Sequence, residues 1–104
     1  MTKEEKLYTE IGQSLDGAEQ SQMFGKPCFK INGKAFVCFF QDCMVFKLTG
    51  NDHAAALKLK GAILFDPSGK GRAMKEWVQV PASSSKEWNK LSEAAYEYVS
   101  SATK

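Results

Sequence analysis

The chain has 104 residues, of which 43% are hydrophobic and 25% are charged, and its formal net charge at pH 7 is +2. These ordinary values exclude a disordered or fibrous chain and predict a single globular domain over residues 1–104. The small positive excess does not by itself indicate nucleic acid or another polyanion as the partner.

The N-terminal segment predicts a helix. Thr2 is a suitable N-cap, and Glu4 and Glu5 follow it in the first turn, where the positive end of the helix dipole favours acidic side chains. Gly17 is expected to end this helix. Charges in every turn exclude a secretory signal, and no segment is apolar over the length of a bilayer, so we expect a cytoplasmic protein without membrane contact. The apolar face of the helix consists of Leu7, Ile11 and Leu15.

Residues 28–48 predict three consecutive antiparallel strands. Asn32-Gly33 lies between two apolar runs, and this dipeptide favours a type I′ hairpin turn because both residues tolerate positive φ. Gln41-Asp42 marks a second turn, and a short first strand within residues 18–25 is expected to close at a Gly25-Lys26-Pro27 turn. The turns predict these cross-strand pairs: Ile31 with Lys34, Phe29 with Phe36, Cys28 with Val37, Phe40 with Cys43, Cys38 with Val45, and Phe39 with Met44.

Both faces of this sheet are predicted to be apolar. A chain with three modest helices has little material to cover both faces, and this shortage motivates the hypothesis of a homodimer. One predicted face carries Phe29, Ile31, Phe36, Cys38, Phe40, Cys43 and Val45, and the other carries Ala35, Val37, Phe39, Met44, Phe46 and Leu48, with Lys30 beside them.

The next segment predicts a second helix and a strand. Asn51 is the expected N-cap of a helix over residues 52–60, and Gly61 is expected to end it as the C′ residue. Residues 62–67 then predict a strand that Pro67 halts.

A polar loop at residues 68–72 leads to a strand over Met74–Val80, which Pro81 is expected to terminate. Ser84 and Glu87 then form the pattern of a capping box at the start of a long closing helix. The predicted order is α-β-β-β-β-α-β-β-α, an α+β fold with about five or six strands in an antiparallel sheet. The buried stripe of the closing helix is expected to contain Trp88, Leu91, Ala95, Tyr98 and Val99.

No motif predicts catalysis or a metal site. Cys28, Cys38 and Cys43 lie in predicted strands among aromatic residues, which favours buried, reduced thiols. The single histidine, His53, lies on the second helix, where no spacing brings it to a cysteine, and it cannot complete a zinc ligand set. The glycine-rich loop at residues 68–72 is not a phosphate-binding loop because a strand follows it. We therefore expect a non-enzymatic protein without a cofactor.

One group of residues could form a binding patch. Basic residues interleaved with an aromatic one are typical of single-stranded nucleic acid binding, although a surface strand with long side chains over the sheet is the simpler interpretation. Trp77 itself is expected to be a core anchor, as is Trp88. The patch consists of Lys47, Lys70, Arg72, Lys75 and Trp77.

A run of short motifs resembles a known family. The motifs occur in order over residues 20–100, and they resemble the N-terminal domain of the competence regulator TfoX and its YjbR-like (MmcQ-like) relatives. The resemblance implies a curved antiparallel sheet with helices, similar to type III secretion chaperones, and it implies no catalytic residue set. The motifs are Met23-Phe24-Gly25, Asn32-Gly33-Lys34 with Phe36, Asp42, Lys47-Leu48, Phe65 with Pro67, and Met74-Lys75-Glu76-Trp77-Val78 running to Val80-Pro81.

The sequence thus favours a small stand-alone binding or regulatory domain that acts through protein contacts, either with a partner protein or by self-association. The alternative is a nucleic-acid-binding accessory domain linked to transcription or competence regulation and using the basic patch. A third hypothesis is a small-molecule site in a groove beside Trp77 and Lys75.

Overall fold

The computed structural model describes residues 2–23, 26–65 and 74–102. The order of helices and strands confirms the predicted α-β-β-β-β-α-β-β-α sequence and the α+β class. The elements are α1 (Lys3–Ser14), β1 (Glu19–Met23), β2 (Lys26–Ile31), β3 (Lys34–Phe40), β4 (Cys43–Lys47), α2 (Gly50–Leu57), β5 (Ile63–Phe65), β6 (Met74–Pro81), a 3₁₀ helix (Ala82–Glu87) and α3 (Trp88–Ala102).

The six strands of the described residues belong to one open antiparallel sheet with the order β1-β2-β3-β4-β6-β5. Both predicted turns are confirmed. Asn32 and Gly33 have φ values of 54° and 80°, and Gln41 and Asp42 have φ values of 49° and 61°. Positive φ at both central residues matches the right-handed twist of the flanking strands, so each turn connects its strands directly.

A β-bulge changes the predicted register of the first hairpin. Ile31 pairs with Lys34 as expected, but β3 has one extra residue beyond that point, so Phe29 pairs with Val37 and Cys28 with Cys38. The predicted pairs of Phe29 with Phe36 and Cys28 with Val37 are therefore wrong, because a bulge sets two residues against one. The three pairs predicted for the second hairpin are confirmed.

The bulge also redistributes the side chains between the faces. Phe29, Ile31 and Phe36, which were predicted on the face with Cys38, belong instead to the main core, and Ala35 lies against the opposite cluster. All three helices contribute to this main core, and α3 covers the centre of the sheet. The buried helical residues of the core are Tyr8, Ile11, Ala56, Trp88, Leu91, Ala95 and Val99. Tyr98, predicted in the buried stripe, is half-buried.

Several predicted boundaries shift. Thr2 caps α1 as expected by accepting a hydrogen bond from the Glu5 backbone N–H at 3.1 Å. The helix ends at Ser14, three residues before Gly17, because Leu15 already has extended backbone angles. Thr49 rather than Asn51 is the N-cap of α2.

The ends of three other segments also differ. Helix α2 stops at Leu57, and a turn leads to Gly61, whose φ of 83° closes that turn rather than the helix. Lys26 and Pro27, predicted in a turn, begin β2, and Pro81 belongs to β6. Ser84 lies inside the 3₁₀ helix with φ −112° and ψ 27°, which are not the extended angles of an N-cap, so the predicted capping box is wrong. Pro67 and the loop at residues 68–72 lie outside the described residues.

Candidate functional site

The face of the sheet opposite the helices has its own apolar cluster, which we call the second core. No described helix contributes a residue to it. The Phe40 and Phe65 rings meet edge to face with centroids 5.4 Å apart, and the Lys26 ammonium lies 4.7 Å from the Phe40 ring centroid. The second core consists of Cys28, Cys38, Val45, Phe65 and Trp77, with Ala35 and Phe40 partly buried against it.

The second core is already shielded from solvent within one chain. Its five central residues are 0% to 5% exposed, and Ile63 is the one exposed large hydrophobic residue in the described part of the chain. The expected shortage of cover for the second face is therefore not found in those residues. The hypothesis of a homodimer loses that motivation and stays a prediction.

The structure describes only part of the predicted basic patch. Lys47 on β4 pairs with Trp77 on β6, so the two residues do lie side by side. Trp77 is 5% exposed and packs in the second core, which confirms its role as an anchor and leaves no open ring face for a base. Lys70 and Arg72 lie outside the described residues, and Lys75 is described only through its backbone position in β6.

The three thiols are poor nucleophiles in this fold. Burial raises the pKa of Cys38 to about 12, with a contribution from the neighbouring Cys28 thiol. Burial also raises the pKa of Cys28 and of Cys43, although Lys30 and a hydrogen bond from Gln79 respectively oppose the shift. Since the thiolate is the reactive form, all three thiols are protonated and weakly nucleophilic at neutral pH while the fold is closed.

Other reactive groups are dispersed. His53 is half-buried on α2, and no group of three or more His, Cys, Asp or Glu side chains in the described part of the chain could hold a metal ion. The described residues line grooves on the helical side, one between α1 and the 3₁₀ helix and others between α2 and α3. None of these grooves borders Trp77, so none corresponds to the small-molecule groove predicted beside that residue.

The two edges of the sheet differ in a way that matters for binding. Strand β5 has three residues and an irregular register at Leu64 and Phe65, and short, bulged edges resist pairing with another chain. Strand β1 has five residues that all pair regularly with β2, and it contains neither Lys nor Pro. Strand β1 is therefore the more open edge.

The position of Pro27 orients the backbone of β1. Gln22 pairs with Pro27, which has no N–H and so fits a pair without mutual backbone hydrogen bonds. Because the two kinds of pair alternate along an antiparallel ladder, Ser21 bonds to β2, whereas Gln20 and Gln22 point their backbone N–H and C=O groups toward the edge that no described strand occupies. The side chains of Gln20 and Gln22 are exposed.

Sequence reasoning missed this edge because the order of strands in the sheet cannot be read from the hairpins alone. The polar segment EQSQM carries only weak alternation and gives no signal of binding. Its place at the edge follows from β6 pairing with β4 on the other side of the meander.

Comparisons of the chain with family models, with curated proteins and with solved structures find no significant match. The resemblance to the TfoX N-terminal domain and its YjbR-like relatives therefore stays a prediction. No helix in the described part of the chain is both long enough and apolar enough to cross a membrane.

Proposed function

We propose that this protein is a small, non-enzymatic binding or regulatory module that holds a protein partner as an added strand on β1. The observation that carries the proposal is the free edge of β1, where Gln20 and Gln22 direct backbone donors and acceptors outward. An extended segment can satisfy these groups by extending the sheet, which is a common mode of peptide recognition.

Two further observations support a binding role over covalent chemistry. The thiols of Cys28, Cys38 and Cys43 are held in the protonated form while the fold is closed. Three unpaired cysteines also fit a reducing compartment, so the proposal places the protein in the cytoplasm.

The partner is either another protein or a second copy of the chain. Two copies of β1 can pair antiparallel about Ser21, which sets Gln20 of one copy against Gln22 of the other and Glu19 against Met23. No like charges face each other in this arrangement.

The test uses three variants of β1. Gln20→Pro removes one outward N–H, and proline is tolerated at that side of an edge strand. Gln20→Ala is the matched control because it removes the same side chain and keeps the N–H. Ser21→Pro removes a bond to β2 and weakens the hairpin itself. Sedimentation velocity at rising concentration measures self-association, and capture from a cell lysate on the immobilised chain measures binding to other proteins.

We expect that wild type and Gln20→Ala give the same dimer or retain the same protein, and that Gln20→Pro loses it while keeping its melting temperature. The proposal is refuted if wild type, Gln20→Ala and Gln20→Pro are all folded monomers and all retain the same partner proteins or no partner protein. The edge of β1 then plays no part in recognition.

The nucleic-acid role remains the alternative, and one observation favours it. Lys26, Lys30 and Lys47 occupy positions on the helix-free face, by the alternation of β2 and β4. Binding through this face would weaken steeply with ionic strength because phosphate contacts release counterions. A fluorescence titration of single- and double-stranded DNA at several salt concentrations, with Lys30→Gln as the variant, distinguishes this role from strand addition.

A further inference from the structure

The β-bulge brings two cysteines together. Because β3 has one extra residue, Cys28 on β2 and Cys38 on β3 lie directly opposite each other in the ladder. Opposed residues of an antiparallel pair have Cα atoms about 4.5 to 5.5 Å apart, within the range of about 4.4 to 6.8 Å that a disulfide spans. The third cysteine, Cys43, pairs with Phe40 and Pro81 instead.

We propose that Cys28 and Cys38 form a reversible intrachain disulfide when the protein meets a low-molecular-weight disulfide, and that this pair is a redox modification site. The thiolate of one cysteine attacks the small disulfide, forms a mixed disulfide and releases one small thiol. The second cysteine then attacks the protein sulfur of that mixed disulfide and releases the second small thiol. Each cysteine loses one proton, and the two electrons from the cysteines reduce the small disulfide to two thiols.

The surrounding structure determines when this reaction occurs. Both thiols are fully buried, so an oxidant reaches them only when part of the sheet opens. Strand β1 is the edge strand beside β2, and we expect separation of these two strands to loosen β2 and to expose Cys28. We expect Cys28, which lies on the strand nearer the edge, to react first, and Cys38 then resolves the mixed disulfide.

The crosslink has a measurable effect on stability. It closes the loop between residues 28 and 38 and restricts the unfolded chain, which for a loop of this length lowers the unfolding equilibrium constant about 100-fold. Because the two cysteines already face each other, the disulfide requires little distortion of the fold, and we expect most of this stabilisation to be observed.

The test incubates the folded protein with oxidised glutathione, then alkylates the remaining thiols and measures the mass of the intact chain and of its tryptic peptides. Wild type and Cys43→Ala are expected to lose two hydrogen atoms and to yield a peptide containing Cys28 joined to the peptide containing Cys38. The variants Cys28→Ala and Cys38→Ala are expected to give no such crosslink. Treatment with a thiol reductant should restore the original mass.

Stability is measured on Cys43→Ala, which keeps the pair and removes the competing thiol. Urea unfolding of its oxidised and reduced forms should show the oxidised form as the more stable. The inference is overturned if oxidised glutathione modifies Cys43 alone while Cys28 and Cys38 stay free, or if the crosslinked form unfolds at a lower urea concentration than the reduced form.

Discussion

Replacing Tyr8 by Phe should stabilise the protein. The Tyr8 ring is 1% exposed and lies between two aromatic rings, with centroid distances of 5.2 Å to Phe29 and 5.3 Å to Phe39. Its hydroxyl group is buried and has no hydrogen-bond partner in the described part of the chain. Phenylalanine keeps both ring contacts and removes only the unpaired hydroxyl.

The expected gain follows from the cost of burying a polar group. An unpaired buried hydroxyl costs about 1 to 3 kcal/mol, and the small void left by its oxygen offsets part of that cost. We expect the free energy of unfolding of Tyr8→Phe to exceed that of wild type by about 1 kcal/mol at pH 7.

The stability difference between Tyr8→Phe and wild type should increase at alkaline pH. Burial raises the pKa of Tyr8 above its ordinary value of 10.0, so the folded state keeps its proton while the unfolded state loses it. The resulting stability is fully present below pH 10 and is lost as the pH rises above 10, by about 1.4 kcal/mol at pH 11. Tyr8→Phe has no such group, so at pH 11 its free energy of unfolding should exceed that of wild type by about 2.4 kcal/mol.

Urea unfolding at pH 7 and pH 11, followed by circular dichroism, measures both differences. Tyr98→Phe is the control at pH 7, because its hydroxyl group donates a hydrogen bond to Glu76. The reasoning is refuted if Tyr8→Phe is less stable than wild type at pH 7, or if its advantage does not grow with pH.

Four other substitutions test the core packing, a backbone turn and the ionisation of a buried thiol. Gly12→Ala should destabilise the protein by at least about 1 kcal/mol in urea unfolding, because an added Cβ overlaps the Phe29 ring and outweighs the gain in helix propensity; unchanged stability would contradict the tight contact. Ser92→Ala should add about 1 to 2 kcal/mol to the free energy of unfolding, because the Ser92 hydroxyl is buried without a hydrogen-bond partner among the described residues and alanine favours helix; a loss of stability would mean that the hydroxyl is paired. Gly33→Ala should lower the melting temperature through a cost of about 1 kcal/mol, because φ is 80° and no atom lies near the new Cβ, so only the backbone opposes it; an unchanged melting temperature would contradict that cost. Between pH 9 and pH 12 wild type should lose stability because the folded pKa of Cys38 is raised to about 12, and Cys38→Ala should lose less over this range; equal slopes would show that Cys38 does not carry the effect.

The order of elements could be predicted because turns and caps are local. Asn32-Gly33 and Gln41-Asp42 define their hairpins within a few residues, and Thr2 caps α1 from its own first turn. The bulge in β3 could not be predicted in this way. Nothing in the alternation of that strand indicates the extra residue, since its side chains are apolar on both faces.

The features of the candidate site that join residues distant in sequence depend on that bulge and on the order of the strands in the sheet. From sequence alone, a glycine inside a helix, such as Gly12, predicts a less stable helix. In the fold, the absence of a side chain at Gly12 allows the Phe29 ring to approach α1. The pairing of Cys28 with Cys38 and the exposed edge of β1 are likewise set by tertiary pairing. The candidate site is therefore defined by the pairing of the strands and not by a sequence motif.

The open edge and Cys28 lie on the two strands of the β1–β2 hairpin, and this proximity makes the two proposals testable together. If the hairpin must open before Cys28 reacts, Ser21→Pro should speed oxidation by glutathione about tenfold, since it removes one ladder hydrogen bond worth about 1 to 1.5 kcal/mol. Gln20→Pro, which changes only the outer side of β1, should be oxidised at the wild-type rate. A strand paired with β1 adds bonds to the same edge and should slow the reaction. Equal rates for Ser21→Pro and wild type would show instead that the oxidant reaches Cys28 by another route.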